Sequence, residues 1–236
     1  MATFVLVHGA WHGGWCWRHV TDLLHSRGHR VSTPTLTGLG ERAHLLSPSI
    51  DLETHITDLV QHLEFEGLRD VVLVGHSFGG VPITGAADRV PERIARLIYL
   101  DAAVLLDGDT MMASLPEEVA QERLRIVKET GSLGMQNPPA SAFGVTDPDQ
   151  TKWVEGKLTP HPIKTYLTPL RLEKPIGNGL PADYVVCTDP IYGPAEVFRT
   201  RARAAGWPFH DLPTGHDSMV TDPGATVEML ERIGTT

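Results

Sequence analysis

The stretch Gly75-His76-Ser77-Phe78-Gly79-Gly80 decides how this chain is read. It fits the pattern Gly-x-Ser-x-Gly, and both flanks suit it. Val71-Val72-Leu73-Val74 precedes it, a β-branched apolar run of the kind that forms a buried strand. Val81-Pro82-Ile83-Thr84-Gly85-Ala86-Ala87-Asp88 follows and reads as a helix, with Pro82 tolerated in its first turn. A strand that turns sharply into a helix carries its serine at the tip with the hydroxyl exposed. The turn is crowded, so the residues two positions to either side, Gly75 and Gly79, must lack side chains. Ser77 is therefore expected to be a nucleophile. The competing reading is a glycine-rich turn whose serine only caps the helix.

Outward from this turn the chain alternates between strands and helices. Strands are expected at 3–7, 29–34, 70–74, 94–100, 183–188 and 207–212. Helices are expected at 15–27, 52–65 and 226–233, where apolar residues recur at helical spacing. Such alternation predicts an α/β fold, a mostly parallel sheet with helices on both faces. Ligands of such sheets bind beyond the carboxyl ends of the strands. From 104 to 181 the alternation stops. Helical pieces at 116–130 and 151–157 are separated by Pro- and Gly-rich stretches, which predicts a mainly helical cap inserted into a core made of 1–103 and 182–236. Trp11 and the cap residues Met111, Met112, Leu115, Phe143 and Trp153 are candidates for a pocket lining, although packing of cap on body is the more ordinary use for any one of the cap residues.

The length of 236 residues suits one large α/β domain with an insertion. The net charge of -9, with no basic run, argues against nucleic acid as a partner. Cys16 and Cys187 sit in apolar segments and read as buried thiols, which suits a cytoplasmic location. No cysteine or histidine spacing suggests a metal, and no cofactor is implied. There is no signal-peptide pattern and no apolar run long enough to cross a membrane.

A serine needs a base beside it. Among 12 histidines the best placed is His216, in Thr214-Gly215-His216-Asp217-Ser218, a loop between the last strand and the last helix. His25, His29, His55 and His62 are expected to be solvated, and His76 to be structural. The acid that would orient the histidine stays open between two candidates. Asp101 ends the strand at 94–100 and is slightly preferred; Asp189 ends the strand at 183–188 but is followed by Pro190. An oxyanion hole needs two backbone N–H groups. Phe78 is expected to give one and Ala10, in the glycine-rich loop His8-Gly9-Ala10-Trp11-His12-Gly13-Gly14, the other.

Together these residues resemble the α/β-hydrolase superfamily. His8-Gly9-Ala10-Trp11-His12-Gly13-Gly14-Trp15-Cys16-Trp17 and Leu36-Thr37-Gly38-Leu39-Gly40-Glu41-Arg42 narrow the resemblance to the branch of plant methylesterases and hydroxynitrile lyases. They are more similar still to small bacterial esterases such as pyrethroid and carbendazim hydrolases. The resemblance implies a serine hydrolase acting through an acyl-enzyme on a small, largely apolar ester, carbamate or amide. Hydroxynitrile lyases of the branch carry Thr and Lys where this chain has Gly9 and Asp217. An anion in place of that cation favours hydrolysis over lyase chemistry. A receptor that binds on the same fold without turnover is the reading from another class. The plant relatives place the acid about where Pro190 falls, whereas haloalkane dehalogenases place one at a position similar to Asp101.

Overall fold

The structure, a computed structural model, describes residues 1–235. Six parallel strands form the central sheet: β1 (Thr3–Val7), β2 (Arg30–Ser32), β3 (Val71–His76), β4 (Ile94–Leu100), β7 (Ala182–Cys187) and β8 (Phe209–Leu212), in the order β2-β1-β3-β4-β7-β8. The two strands missing from that count, β5 (Gly134–Met135) and β6 (His161–Pro162), pair with each other as a short antiparallel ladder. A segment expected to hold no strand thus holds this small one.

The inner strands are buried on both faces, and their side chains divide by the period of two that a pleated strand imposes. Phe4 and Leu6 of β1, Val72 and Val74 of β3, and Ile98 and Leu100 of β4 join one core. Val5 and Val7, Val71 and Leu73, Leu97 and Tyr99 join the other. α1 (Arg18–Ser26) and α9 (Pro223–Gly234) cover the first face with Val20, Leu24, Val227 and Leu230. α2 (Leu52–Phe65), α3 (Gly80–Arg89) and α7 (Glu196–Ala204) cover the second with Ile56, Leu59, Ile83, Phe198 and Ala202. The helix α7 was not among the expected elements.

Between β4 and β7 the chain builds α4 (Glu117–Thr130), α5 (Pro148–Glu155) and α6 (Lys164–Leu167). Their residues reach back to the body: Asp217 N–H donates to the Phe143 carbonyl at 3.0 Å and Thr159 N–H to the Trp11 carbonyl at 3.0 Å. A short helix, α8 (Ser218–Thr221), separates the His216 loop from α9. Both cysteines are buried free thiols. The solvated histidines divide: His25 is exposed and His62 half-buried, but His29 and His55 are buried. His29 lies within 2.9 Å of a Glu231 carboxylate oxygen, and His55 Nε2–H donates to the Thr37 carbonyl at 2.9 Å. Neither the helical position of His55 nor the turn position of His29 shows in the sequence that a partner waits beside it. No helix of the described residues is long and apolar enough to cross a membrane.

Candidate active site

β3 ends at His76 and the chain enters a 3-10 turn at Ser77–Gly79 before α3. Ser77 sits at φ 52°, in the left-handed region that side chains rarely adopt. The glycines answer to named neighbours. A Cβ on Gly75 would lie 2.6 Å from the Gly79 carbonyl oxygen, and one on Gly79 would lie 2.7 Å from the His8 and Val7 carbonyl oxygens. One on Gly9 would meet Ser77 Cβ at 2.9 Å, so the loop after β1 lies directly against the serine. Ser77 is half-buried and lines a narrow cavity.

Asp101 follows β4, also with a positive φ, 43°. Its N–H donates to the Val185 carbonyl of β7 at 2.7 Å, which ties the strand end down. Ala103 N–H donates to the Ser77 carbonyl at 2.8 Å and joins this strand end to the serine turn. The Asp101 carboxylate is buried and has two partners. His216 Nδ1–H donates to Oδ2 at 2.7 Å, and Arg199 Nη1, from α7, donates to Oδ1 at 3.2 Å. Arg199 is buried too, with its Nη2 on the Tyr192 carbonyl at 2.8 Å. Tyr192 stacks on the His216 ring, centroids 3.9 Å apart. His216 Nε2 is buried without a hydrogen-bond partner. An apo site often has its catalytic hydrogen bonds long or unmade until substrate arrives. Asp189 is exposed on the surface, its N–H on the Thr214 carbonyl, while the Nδ1 of His216 is taken by Asp101.

The cavity walls add Met111, Leu115, Phe198 and Tyr166 to Ser77 and Trp11. Arg123 lies over the faces of Trp11 and Tyr166, 5.1 and 5.9 Å from their centroids, with no carboxylate partner among the described residues. Three pocket expectations need correction. Met112 is buried in the core rather than facing the cavity. Phe143 packs beside Trp11, His12 and His216 and is not part of the cavity lining. Trp153 packs on Trp15 and His19 and borders surface grooves that exclude Ser77. Arg123, Tyr166, Tyr192 and Arg199 went unremarked in the sequence. Arg199 had one usable signal, the spacing of Phe198 and Ala202 on a helix between the last two strands.

Asp217 also lies elsewhere than expected. Its carboxylate is fully buried and does not line the cavity; His12 Nε2 donates to Oδ2 at 3.1 Å. Asp101 and Arg123 are the charged residues that line the cavity. No group of three His, Cys, Asp or Glu among the described residues is placed to hold a metal ion.

Residues 4–229 match the model of the alpha/beta hydrolase family. The chain belongs to that family. Among curated proteins, this hydrolase is 42% identical to a carbendazim hydrolyzing esterase of Nocardioides sp. (strain SG-4G), over 99% of this chain and all of the other. It is 33% identical to methyl jasmonate esterase 1 of Vitis vinifera, over 58% of this chain and 54% of that one. Among solved structures, an extracellular alpha/beta-hydrolase from a Paenibacillus species superposes with a TM-score of 0.89 at 25% identity, over the whole of both chains.

Proposed function

We propose that this carboxylesterase-type hydrolase cleaves small, largely apolar esters through a covalent acyl-enzyme on Ser77. One observation carries the reading: a serine held at the strained tip of a strand-to-helix turn, on the same cavity as the Asp101 that pairs with a buried His216 whose outer imidazole nitrogen has no hydrogen-bond partner. His216 Nε2 takes the Ser77 proton as Oγ attacks the carbonyl carbon. The tetrahedral oxyanion is held by the Ala10 and Phe78 N–H groups. His216 then gives the proton to the leaving alcohol, and a water molecule, deprotonated by the same nitrogen, attacks the acyl-enzyme to release the acid. Asp101 holds the Nδ1–H tautomer and offsets the charge of the imidazolium. The segment 104–181 acts as a cap whose Met111, Leu115 and Tyr166 meet the substrate.

The 42% identical relative is named for hydrolysing carbendazim, which makes carbendazim the first candidate substrate beside simple esters. The test is a panel of p-nitrophenyl esters of increasing acyl length together with carbendazim, run on the wild type and on Ser77→Ala. Turnover by the wild type, loss of roughly four orders of magnitude or more in kcat in the variant, and phosphonate labelling confined to Ser77 are expected. Normal turnover by folded Ser77→Ala overturns the mechanism. Cyanide release from mandelonitrile at a rate matching ester turnover would move the protein to lyase chemistry instead.

A further inference from the structure

The loop after β1 is held by imidazoles at each successive peptide. His8 Nδ1–H donates to the Gly9 carbonyl at 2.8 Å while its Nε2 accepts the Leu36 N–H at 3.1 Å. His12 Nδ1 lies 2.8 Å from the Ala10 carbonyl. His161 Nδ1 accepts the Trp11 N–H at 3.3 Å, and its Nε2–H reaches Thr165 Oγ1 at 2.8 Å. Trp11 holds φ at 65°, a conformation that a bulky residue keeps only when its surroundings over-determine it. The Gly9 carbonyl and the Ala10 N–H belong to one trans peptide and point in opposite directions. Fixing the carbonyl on His8 therefore aims the Ala10 N–H the other way, and the next peptide is fixed by His12.

The protonation states follow from counting donors. A neutral imidazole has one N–H and one acceptor nitrogen. His8 and His161 each face one donor and one acceptor, or a hydroxyl, so each is satisfied when neutral. His12 faces two acceptors, the Ala10 carbonyl and the Asp217 carboxylate at 3.1 Å, in a fully buried position. Only the doubly protonated ring can donate to both.

We propose that His12 and Asp217 form a buried imidazolium–carboxylate pair that fixes the Gly9–Trp11 turn as the oxyanion-binding loop, His12 being a positioning residue that never touches substrate. This rests on the reading of Ser77 as nucleophile. The electrostatics agree with the geometry. Burial opposes the His12 cation, but the Asp217 charge and hydrogen bond outweigh it and raise its pKa. Burial likewise opposes the Asp217 anion, and His12 outweighs it and lowers its pKa. Burial pushes His8 down to about 3. Besides His8, the other titratable groups facing the pair are His76 from β3, 3.8 Å from Asp217 Oδ1, His216 from its own loop, Cys16 from the turn before α1, Cys187 from β7, and Tyr192. Burial holds His76 well below its ordinary value, leaving it neutral, and holds the Cys16 thiol protonated.

Two experiments on the full chain test the pair. In the first, imidazole 15N spectra of histidine-labelled protein are assigned by comparison with His12→Asn. Both His12 ring nitrogens are expected to carry protons at pH 7, because the Asp217 carboxylate raises the imidazole pKa; a single protonated nitrogen at pH 7 overturns the proposal. In the second, kinetics on p-nitrophenyl acetate compare His12→Asn with His12→Gln. The Asn amide nitrogen takes the place of imidazole Nδ1 and keeps the bond to Ala10; the Gln amide takes the place of Nε2 and loses it. His12→Gln is expected to lose about 10²-fold in kcat with KM nearly unchanged, as for a lost oxyanion donor, and His12→Asn to recover at least tenfold of that. Equal losses in the two variants overturn the positioning role. Absence of phosphonate labelling at wild-type Ser77 would instead strike the nucleophile reading, which the 15N spectra do not depend on.

Discussion

Ser77 holds its backbone at φ 52° with a side chain that ordinarily avoids that region, and nothing in the core requires a serine there. The strain is part of what presents the hydroxyl to the cavity. Ser77→Ala keeps the strain and removes the hydroxyl, so its stability should match the wild type. Ser77→Gly removes both, and chemical denaturation should find it about 1 kcal/mol more stable than Ser77→Ala. Equal stabilities would mean that the turn is not strained. Asp101 carries a second consequence at this scale. Asp101→Asn takes the charge from His216 and leaves the buried Arg199 guanidinium with only the exposed Glu196 carboxylate as counter-ion. A loss of about 10³–10⁴ in kcat is expected, with destabilisation toward the lower end of the about 3–5 kcal/mol seen when one member of a buried pair is removed, because the amide oxygen still accepts. Asp189→Asn, on the exposed loop, should turn over normally. The reverse ranking in a paired assay would place the acid at 189.

Elements carry these residues to one edge of the sheet. The serine turn, the end of β4 and the loop before α8 all open at the carboxyl ends of parallel strands, as doubly covered sheets require. α3 leaves the turn so close to the chain after β4 that a Cβ on Gly80 would lie 2.2 Å from the Ala103 carbonyl oxygen. Backbone cannot give way there. Gly80→Ala should cost more than about 2 kcal/mol, in the upper part of the range for overpacking. Gly193→Ala, where an added Cβ meets nothing, should be near neutral. Comparable urea midpoints for the two would show that α3 can shift. This scale was also the most legible in sequence. The strands at 3–7 and 94–100 and the helix at 52–65 follow from runs and periods, and the expected ranges match β1, β4 and α2. α7 escaped because its sequence, Glu196-Val197-Phe198-Arg199-Thr200-Arg201-Ala202-Arg203-Ala204, interleaves four charged residues with four apolar ones, two of them alanines, and shows only a short apolar stripe. The cavity wall escaped for another reason. Arg123, Tyr166 and Tyr192 meet only through the folding of the segment 104–181 onto the body, and local spacing carries no record of which residue of that segment faces inward.

Across the whole molecule the least legible feature was the burial of imidazoles. His8, His55, His76 and His161 are all buried, and desolvation lowers each: His8 to about 3, His55 to about 4, His76 and His161 well below the ordinary value. An unfolded chain would titrate them near ~6.5. Below that pH the unfolded state binds protons that the folded state refuses. The stability that comes from keeping these rings neutral is therefore complete above ~6.5 and is lost as pH falls toward the folded values, at about 1.4 kcal/mol per pH unit for each ring. His12 runs the other way: its raised pKa contributes stability at neutral pH that is lost as pH rises through the folded value. Four rings acting together remove roughly 5 kcal/mol per unit, against a total of about 5–15 kcal/mol for a native domain. Cooperative acid unfolding is thus expected between about pH 4 and 5.5, before most surface carboxylates are protonated. Thermal melts followed by circular dichroism from pH 8 to 4 should show the midpoint dropping steeply below about pH 6. His55→Gln, which has no ring to protonate, should shallow that slope by about a quarter. A midpoint that stays flat down to pH 4.5 would mean that these histidines reach solvent or partners in the folded state, and the network around the candidate site would then be less dry than its packing implies.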